Sequence, residues 1–170
     1  MGIAEVVARF VEIPGAVVGR GPAHSDSPDY GVGAEVGTFL DSYPALRRDR
    51  GYVEFLELYS GARIEPGDGS IAANILGFGD VSINMTELDA PVVEDGFIVF
   101  AICVYHDHRD GQLDSYEYDF AFDVSGDRKP GVYRCFAAAQ ALEEPMTWYV
   151  ENFTEWLTGL VEKGGRYERA

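Results

Sequence analysis

The stretch DSYEYDFAFDVSGDRKPGVYRCF, Asp114 to Phe136, decides how this chain is read. Aromatic residues and carboxylates alternate through its first half. Successive side chains of a β-strand point to opposite faces. A strand over SYEYDFAFDV, 115–124, therefore puts Tyr116, Tyr118, Phe120 and Phe122 on one face. It puts Glu117, Asp119, Ala121 and Asp123 on the other. The segment SGDRKPG, 125–131, holds both Gly and Pro and reads as a turn. VYRCF, 132–136, then returns as a second strand. The aromatic side is the one for helices to cover. The acidic side is either an ordinary solvated face or a face kept for a cationic partner. Solvated faces usually mix signs, because like charges side by side repel. Here no Lys or Arg interleaves.

Upstream, DGFIVFAICVY, 95–105, is β-branched and aromatic and reads as a central strand. HDHRDGQ, 106–112, reads as the turn between the two. IAANILGFGDVSI, 71–83, suggests a strand with a glycine-rich bend. Together these predict consecutive antiparallel strands joined by hairpins.

Helices flank the strands. In AEVVARFV, 4–11, residues Val6, Val7, Phe10 and Val11 share one helical face. Residues 13–33 are rich in Gly, Pro and Ser and read as a long irregular connection. A second helical region covers 34–59, burying Phe39 and Leu40, with Pro44 interrupting it. Its second half places Tyr52, Phe55, Leu56 and Tyr59 on one face, and Gly61 suits a C-terminal cap. The segment 137–147 is ambiguous: AAAQALEE favours a helix that Pro145 stops. Asn152 followed by Glu155 resembles a capping box. It opens a last helix with a core stripe of Phe153, Trp156, Leu157, Leu160 and Val161, ended by Gly164. Strands and helices are segregated, which predicts the α+β class: an antiparallel meander packed by N-terminal and C-terminal helices. At 170 residues the chain is expected to be one domain. Residues 1–33 form its N-terminal helix and connection, and 34–170 form its body.

Composition narrows the function classes. Hydrophobic residues make up 46%, enough for a packed core. No apolar run reaches the roughly 18–20 residues of a spanning helix. The start MGIAEVVARF lacks a basic region and a long apolar segment, so a cytoplasmic protein with no membrane association is expected. Cys103 and Cys135 lie in apolar β-like runs without a CxxC motif and read as buried, reduced thiols. The net charge of −16 argues against nucleic acid as a partner, since phosphates need clustered Lys and Arg. The acidity is concentrated: ten acids and one base, Arg109, lie between Glu87 and Asp123.

Catalytic motifs are weak. Glu117 and Asp119 stand roughly 6.5–7 Å apart along a strand, a separation glycosidase carboxylates also use, but any acidic strand meets it. His106 and His108 form an HxH pair to which Asp110, Asp114 or His24 would add ligands, the weaker metal alternative. HExxH, GxSxG, GxGxxG and GK[ST] are absent. No cofactor is expected.

A set of segments carries a family likeness. In order they are YVEFLELYSGA (52–62), ILGFGDV (75–81), GFIVFA (96–101), YEYDFAFDV (116–124) with GVYRC (131–135), and NFTEWLTGL (152–160). Their order and spacing resemble the SUKH superfamily, the family of the yeast cell-wall-synthesis regulator and of many bacterial immunity proteins. The likeness spans roughly residues 34–163. It departs from the family pattern at DSYPALRRDRGY, 41–52, and in the long 13–33 connection. The resemblance implies a non-catalytic α+β domain that binds another protein, and in bacteria an immunity protein that neutralises a toxin, often a nuclease. An acidic face suits such a basic partner. The expected contact residues are Glu117, Asp119 and Asp123, with Asp107, Asp110 and Asp114 at the adjoining hairpin. A scaffold module of the same fold and a metal- or carboxylate-dependent hydrolase are the rival readings.

Overall fold

The computed structural model describes residues 1–24, 30–65, 67, 72–78, 80–81, 86–87, 91–109, 111–137 and 146–165. For residues 24, 30–32, 80–81, 86–87, 92–94, 105–109, 112–115 and 137 it describes the backbone alone. In chain order the elements are α1 (Ile3–Phe10), β1 (Ala16–Val18), a 3-10 turn at Pro22–His24, α2 (Tyr30–Ser42), a 3-10 helix at Pro44–Arg48 and α3 (Arg50–Leu58). Then come β2 (Ala62–Ile64), β3 (Ala73–Ile75), β4 (Asp80–Val81), β5 (Thr86–Glu87), β6 (Val92–Glu94), β7 (Phe97–Arg109), β8 (Gln112–Asp123), β9 (Val132–Ala137), β10 (Thr147–Val150) and α4 (Phe153–Glu162). The class is α+β, as the segregation of periods predicts. Among the described residues no helix is long and apolar enough to cross a membrane.

The sheet runs β1-β2-β3-β7-β8-β9-β10, all antiparallel, with β6 pairing the start of β7. Strands β4 and β5 form a separate pair. The centre is the long β7–β8 hairpin, paired from Phe97↔Asp123 to Arg109↔Gln112. This corrects the reading of 106–112 as a turn: β7 continues through Arg109, and only positions 110 and 111 separate the strands. Asp-Gly favours a two-residue hairpin, and Gly111 takes the left-handed φ of 76° such turns require. The described parts of the 13–33 connection are also more regular than expected. It contains β1 at the sheet edge, and α2 begins at Tyr30. The ambiguous segment 137–147 lies mostly outside the described residues, but it ends in β10.

A bulge between Val99 and Ala101 explains why β7 shows no alternation. Before it, Ile98 and Phe100 join the helix-side core; after it, Ala101 and Cys103 do. Phe97 and Val99 fall in a separate apolar cluster on the other face, with Ile102 packed against it. Both faces of β7 are apolar, so the strand reads as one continuous run.

The core lies between the sheet and the helices. In α1, Ile3, Val6, Val7 and Phe10 are buried and Val11 is exposed, so Ile3 takes the place expected of Val11. From α3 and α4, Tyr52, Phe55, Phe153 and Trp156 meet Phe100, Phe120 and Phe122 of the sheet in one ring cluster. Phe100 and Phe122 stack at 4.4 Å. The two helix starts are tied by one carboxylate. Asp49 Oδ1 accepts from Tyr52 N at 3.1 Å, and Oδ2 accepts from Phe153 N at 2.8 Å. Asn152 caps α4 through Glu155 N at 2.9 Å, and Glu155 Oε2 accepts from Glu151 N, close to the expected capping box.

Tyr52 is fully buried, yet its hydroxyl has no hydrogen-bond partner among the described residues. Burial, and then the Asp49 carboxylate, push this phenol far above its ordinary pKa. A buried donor without a partner subtracts from stability. Tyr52→Phe is therefore expected to be neutral or to stabilise by up to about 1 kcal/mol in urea unfolding.

Candidate functional site: the outer face of the sheet

The helices cover one face, and the register lays out the other. One outer row runs Arg63–Asn74–Ile102–Asp119–Cys135 across β2, β3, β7, β8 and β9. On one side of it lies Val104–Glu117–Ala137. On the other lies Val99–Ala121–Tyr133–Trp148, and then Phe97–Asp123. The aromatic side of β8 faces the core as expected: Tyr118, Phe120 and Phe122 are buried. The opposite side is not a uniform acidic surface. Ala121 is fully buried, in a small cluster with Leu76, Phe97, Val99 and Tyr133.

The six expected contact acids divide by register. Glu117 and Asp119 are half-buried neighbours on the outer face. Their cross-strand partners are Val104 and Ala137 for Glu117, and Ile102 and Cys135 for Asp119, none of them cationic. Asp119 Oδ1 is closed off from solvent. The cation of the same row is Arg63, three strands and roughly 14 Å away at ordinary strand spacing. It pairs with Glu65 at 3.2 Å. Asp107 and Asp114 are Cα partners of each other, and Asp114 falls in the same alternation as Tyr116–Phe122. They do not continue the row that Glu117 and Asp119 occupy. Asp110 lies outside the described residues.

Asp123 shares the outer face, but its carboxylate is turned to its own hairpin. Oδ1 accepts from Ser125 Oγ at 2.6 Å and Arg128 Nη1 at 2.9 Å, and Oδ2 accepts from the Gly126 and Arg128 amides. The Asp123 side chain is only 5% exposed. Burial alone would raise its pKa, but the bonds from Ser125 and Arg128 outweigh it and hold the carboxyl below its ordinary 3.8. A carboxyl depressed on folding contributes stability above its unfolded pKa and loses it as pH falls through the folded value. The stability advantage of the wild type over Asp123→Asn at pH 7 is therefore expected to narrow as pH drops from about 5 toward 2. Urea midpoints measured across that range check this.

Metal and nucleophile readings gain little. His106 and His108 occupy alternate positions of β7, opposite Ser115 and Leu113. Among the described residues no group of three or more His, Cys, Asp or Glu comes together as a metal site. Both cysteines are thiols rather than halves of a disulfide, but they differ. Cys103 is buried in the core, and burial, then Asp119, push its thiol up to about 12, while Cys135 is half-buried on the outer face. A thiol so raised is a poor nucleophile. A cavity of about 90 Å³ opens between the Asp123 hairpin and the start of α3, lined by Arg48, Asp49, Arg128 and Glu151. An open groove of about 680 Å³ runs beside α4, past Arg50, Thr154 and Thr158.

One feature of this face has no counterpart in the sequence reading. Phe97 and Tyr133 pair at 5.3 Å, Arg128 lies 4.2 Å over Phe97, and Lys129 Nζ lies 3.7 Å over Trp148. Trp148 enters the face only because β10 pairs with β9, and the sequence gives β10 no strand signal beyond TWYV itself. Compared with known proteins, the chain matches no family model, no curated protein and no solved structure.

Proposed function

We propose that this chain is a non-catalytic protein-binding domain, an immunity-type protein that neutralises a toxin, foremost a nuclease, by binding its basic surface. The observation that carries the reading is the pair Glu117 and Asp119. They stand half-buried on the outer face of the central strand β8, and their cross-strand neighbours Val104, Ala137, Ile102 and Cys135 carry no charge. Carboxylates so placed accept charge-assisted hydrogen bonds from Arg and Lys of a partner. Ile102 and Val104, half-buried next to them, supply the apolar contact that salt links alone lack. The net charge of −16 adds long-range attraction for a cationic partner. The segment likeness to the SUKH superfamily supports the same class.

The test is a pull-down with the tagged full chain, bound at low salt, eluted at high salt and identified by mass spectrometry. One dominant basic protein, toxic when expressed alone, is the expected result. A diffuse set of abundant proteins, or nothing retained, would leave the acidic face to water and overturn the reading.

A further inference from the structure

Strand β10 closes the sheet, and among the described residues it is paired on one side only, by β9. It carries Trp148, 36% exposed, while the other large apolar side chains left exposed among the described residues, Met1 and Val11, lie in and around α1. The indole is held in place. Its Nε1 donates to Pro130 O at 3.1 Å, Lys129 covers the ring, and a Cβ at Gly131 would collide with it. A rigid aromatic ring held at the surface is how interfaces anchor themselves, because little side-chain freedom is lost on contact. An unpaired strand edge is a template for another strand.

We propose that β10 is a self-association edge. Two copies pair β10 against β10 in antiparallel fashion, about a two-fold axis perpendicular to the sheet. The outer faces stay on the same side, and the two Trp148 rings meet across the axis. Charge selects this occupant. A two-fold contact sets each group near its own copy, so two chains of −16 repel over most of their surfaces. Around β10 the described charges come close to balance: Arg128, Lys129 and Arg134 against Asp123, Asp127, Glu151 and Glu155. At this edge two copies approach with little of that repulsion. A cationic partner is drawn instead to the net-acidic remainder of the chain, wherever its contact lies, so this inference does not rest on the proposed function. The strand has four residues and Lys129 lies beside it, which keeps the contact weak, with a dissociation constant above about 1 μM.

Sedimentation of the full chain tests it. The mass is expected to rise toward two chains between about 10 μM and 1 mM, more so at about 0.5 M salt than at 0.05 M, because salt screens the net repulsion. That salt dependence is opposite in sign to the one expected for a cationic partner. Trp148→Glu and Thr147→Glu are each expected to weaken the dimer tenfold or more, roughly the cost of like charges brought together at an interface. Thr147 is exposed and clear of the indole seat, so its variant decides the matter if the Trp148 variant folds poorly. A monomer at every concentration and salt overturns the proposal. So does a dimer that salt dissolves, or one that the Thr147 variant leaves unchanged.

Discussion

Asp49→Ala is expected to destabilise the protein by about 2–3 kcal/mol, the largest loss from any single polar side chain described. Two helices start on this one carboxylate, although their first residues are far apart in sequence. Removing an N-cap alone costs roughly 0.5–2 kcal/mol, and a bond to a charged acceptor somewhat more. The two contributions do not sum in full, because ionised Asp49 is itself costly to bury. Burial pushes its carboxyl above the ordinary 3.8, and the bonds from Phe153, Tyr52 and Gly51 pull it back only in part. A carboxyl raised on folding gives its greatest stability below its unfolded pKa and loses part of it as pH rises through the folded value. The penalty of Asp49→Asn is thus expected to shrink as pH rises from about 3 to 6. For a chain of this size the alanine variant should melt roughly 4–12 °C lower by circular dichroism. A shift of under about 1 °C would mean that α3 and α4 start without help from Asp49.

The second large effect concerns encounter. Changing Glu117 and Asp119 together to Lys is expected to slow association with the captured partner at least tenfold at about 0.05 M salt, as for other steered pairs. The gap should narrow near 0.5 M, where screening reaches within a few ångströms. Asp123→Asn serves as the contrast. Arg128 already neutralises that carboxylate inside the hairpin, so its loss should leave the rate within about twofold. Stopped-flow mixing of the two proteins measures all three. Equal rates for the wild type and the double reversal would remove Glu117 and Asp119 from the contact.

Much of this was legible in the residues. The alternation from Tyr116 to Phe122 gave β8 and its buried side, because a strand with one face in the core must alternate. The stripe from Phe153 to Val161 gave α4 in the same way. The elements missed were short or two-sided. Strands β1, β2 and β10 have three or four residues, too few for a period to show. The end of β7 was taken for a turn because HDHRD is polar, although Asp110 and Gly111 held the actual hairpin signal. The bulge at Phe100 reverses which positions face the helices, and no local residue type marks it. The candidate site was legible in part. Sequence placed Glu117, Asp119 and Asp123 on one face, and they are there. It could not show that Asp123 is bound within its own turn, nor that Asp107 and Asp114 follow the other alternation, because both depend on register. Nor did it show Trp148, which reaches the outer face only through pairing with β9.

The most direct test of binding as the function is growth of cells expressing the captured basic partner. They would carry that partner alone, with the wild-type chain, or with the Glu117→Lys, Asp119→Lys chain at equal abundance. If the chain neutralises the partner through its acidic pair, growth returns with the wild type and stays poor with the double reversal. Equal growth with both chains, or none with either, would contradict it.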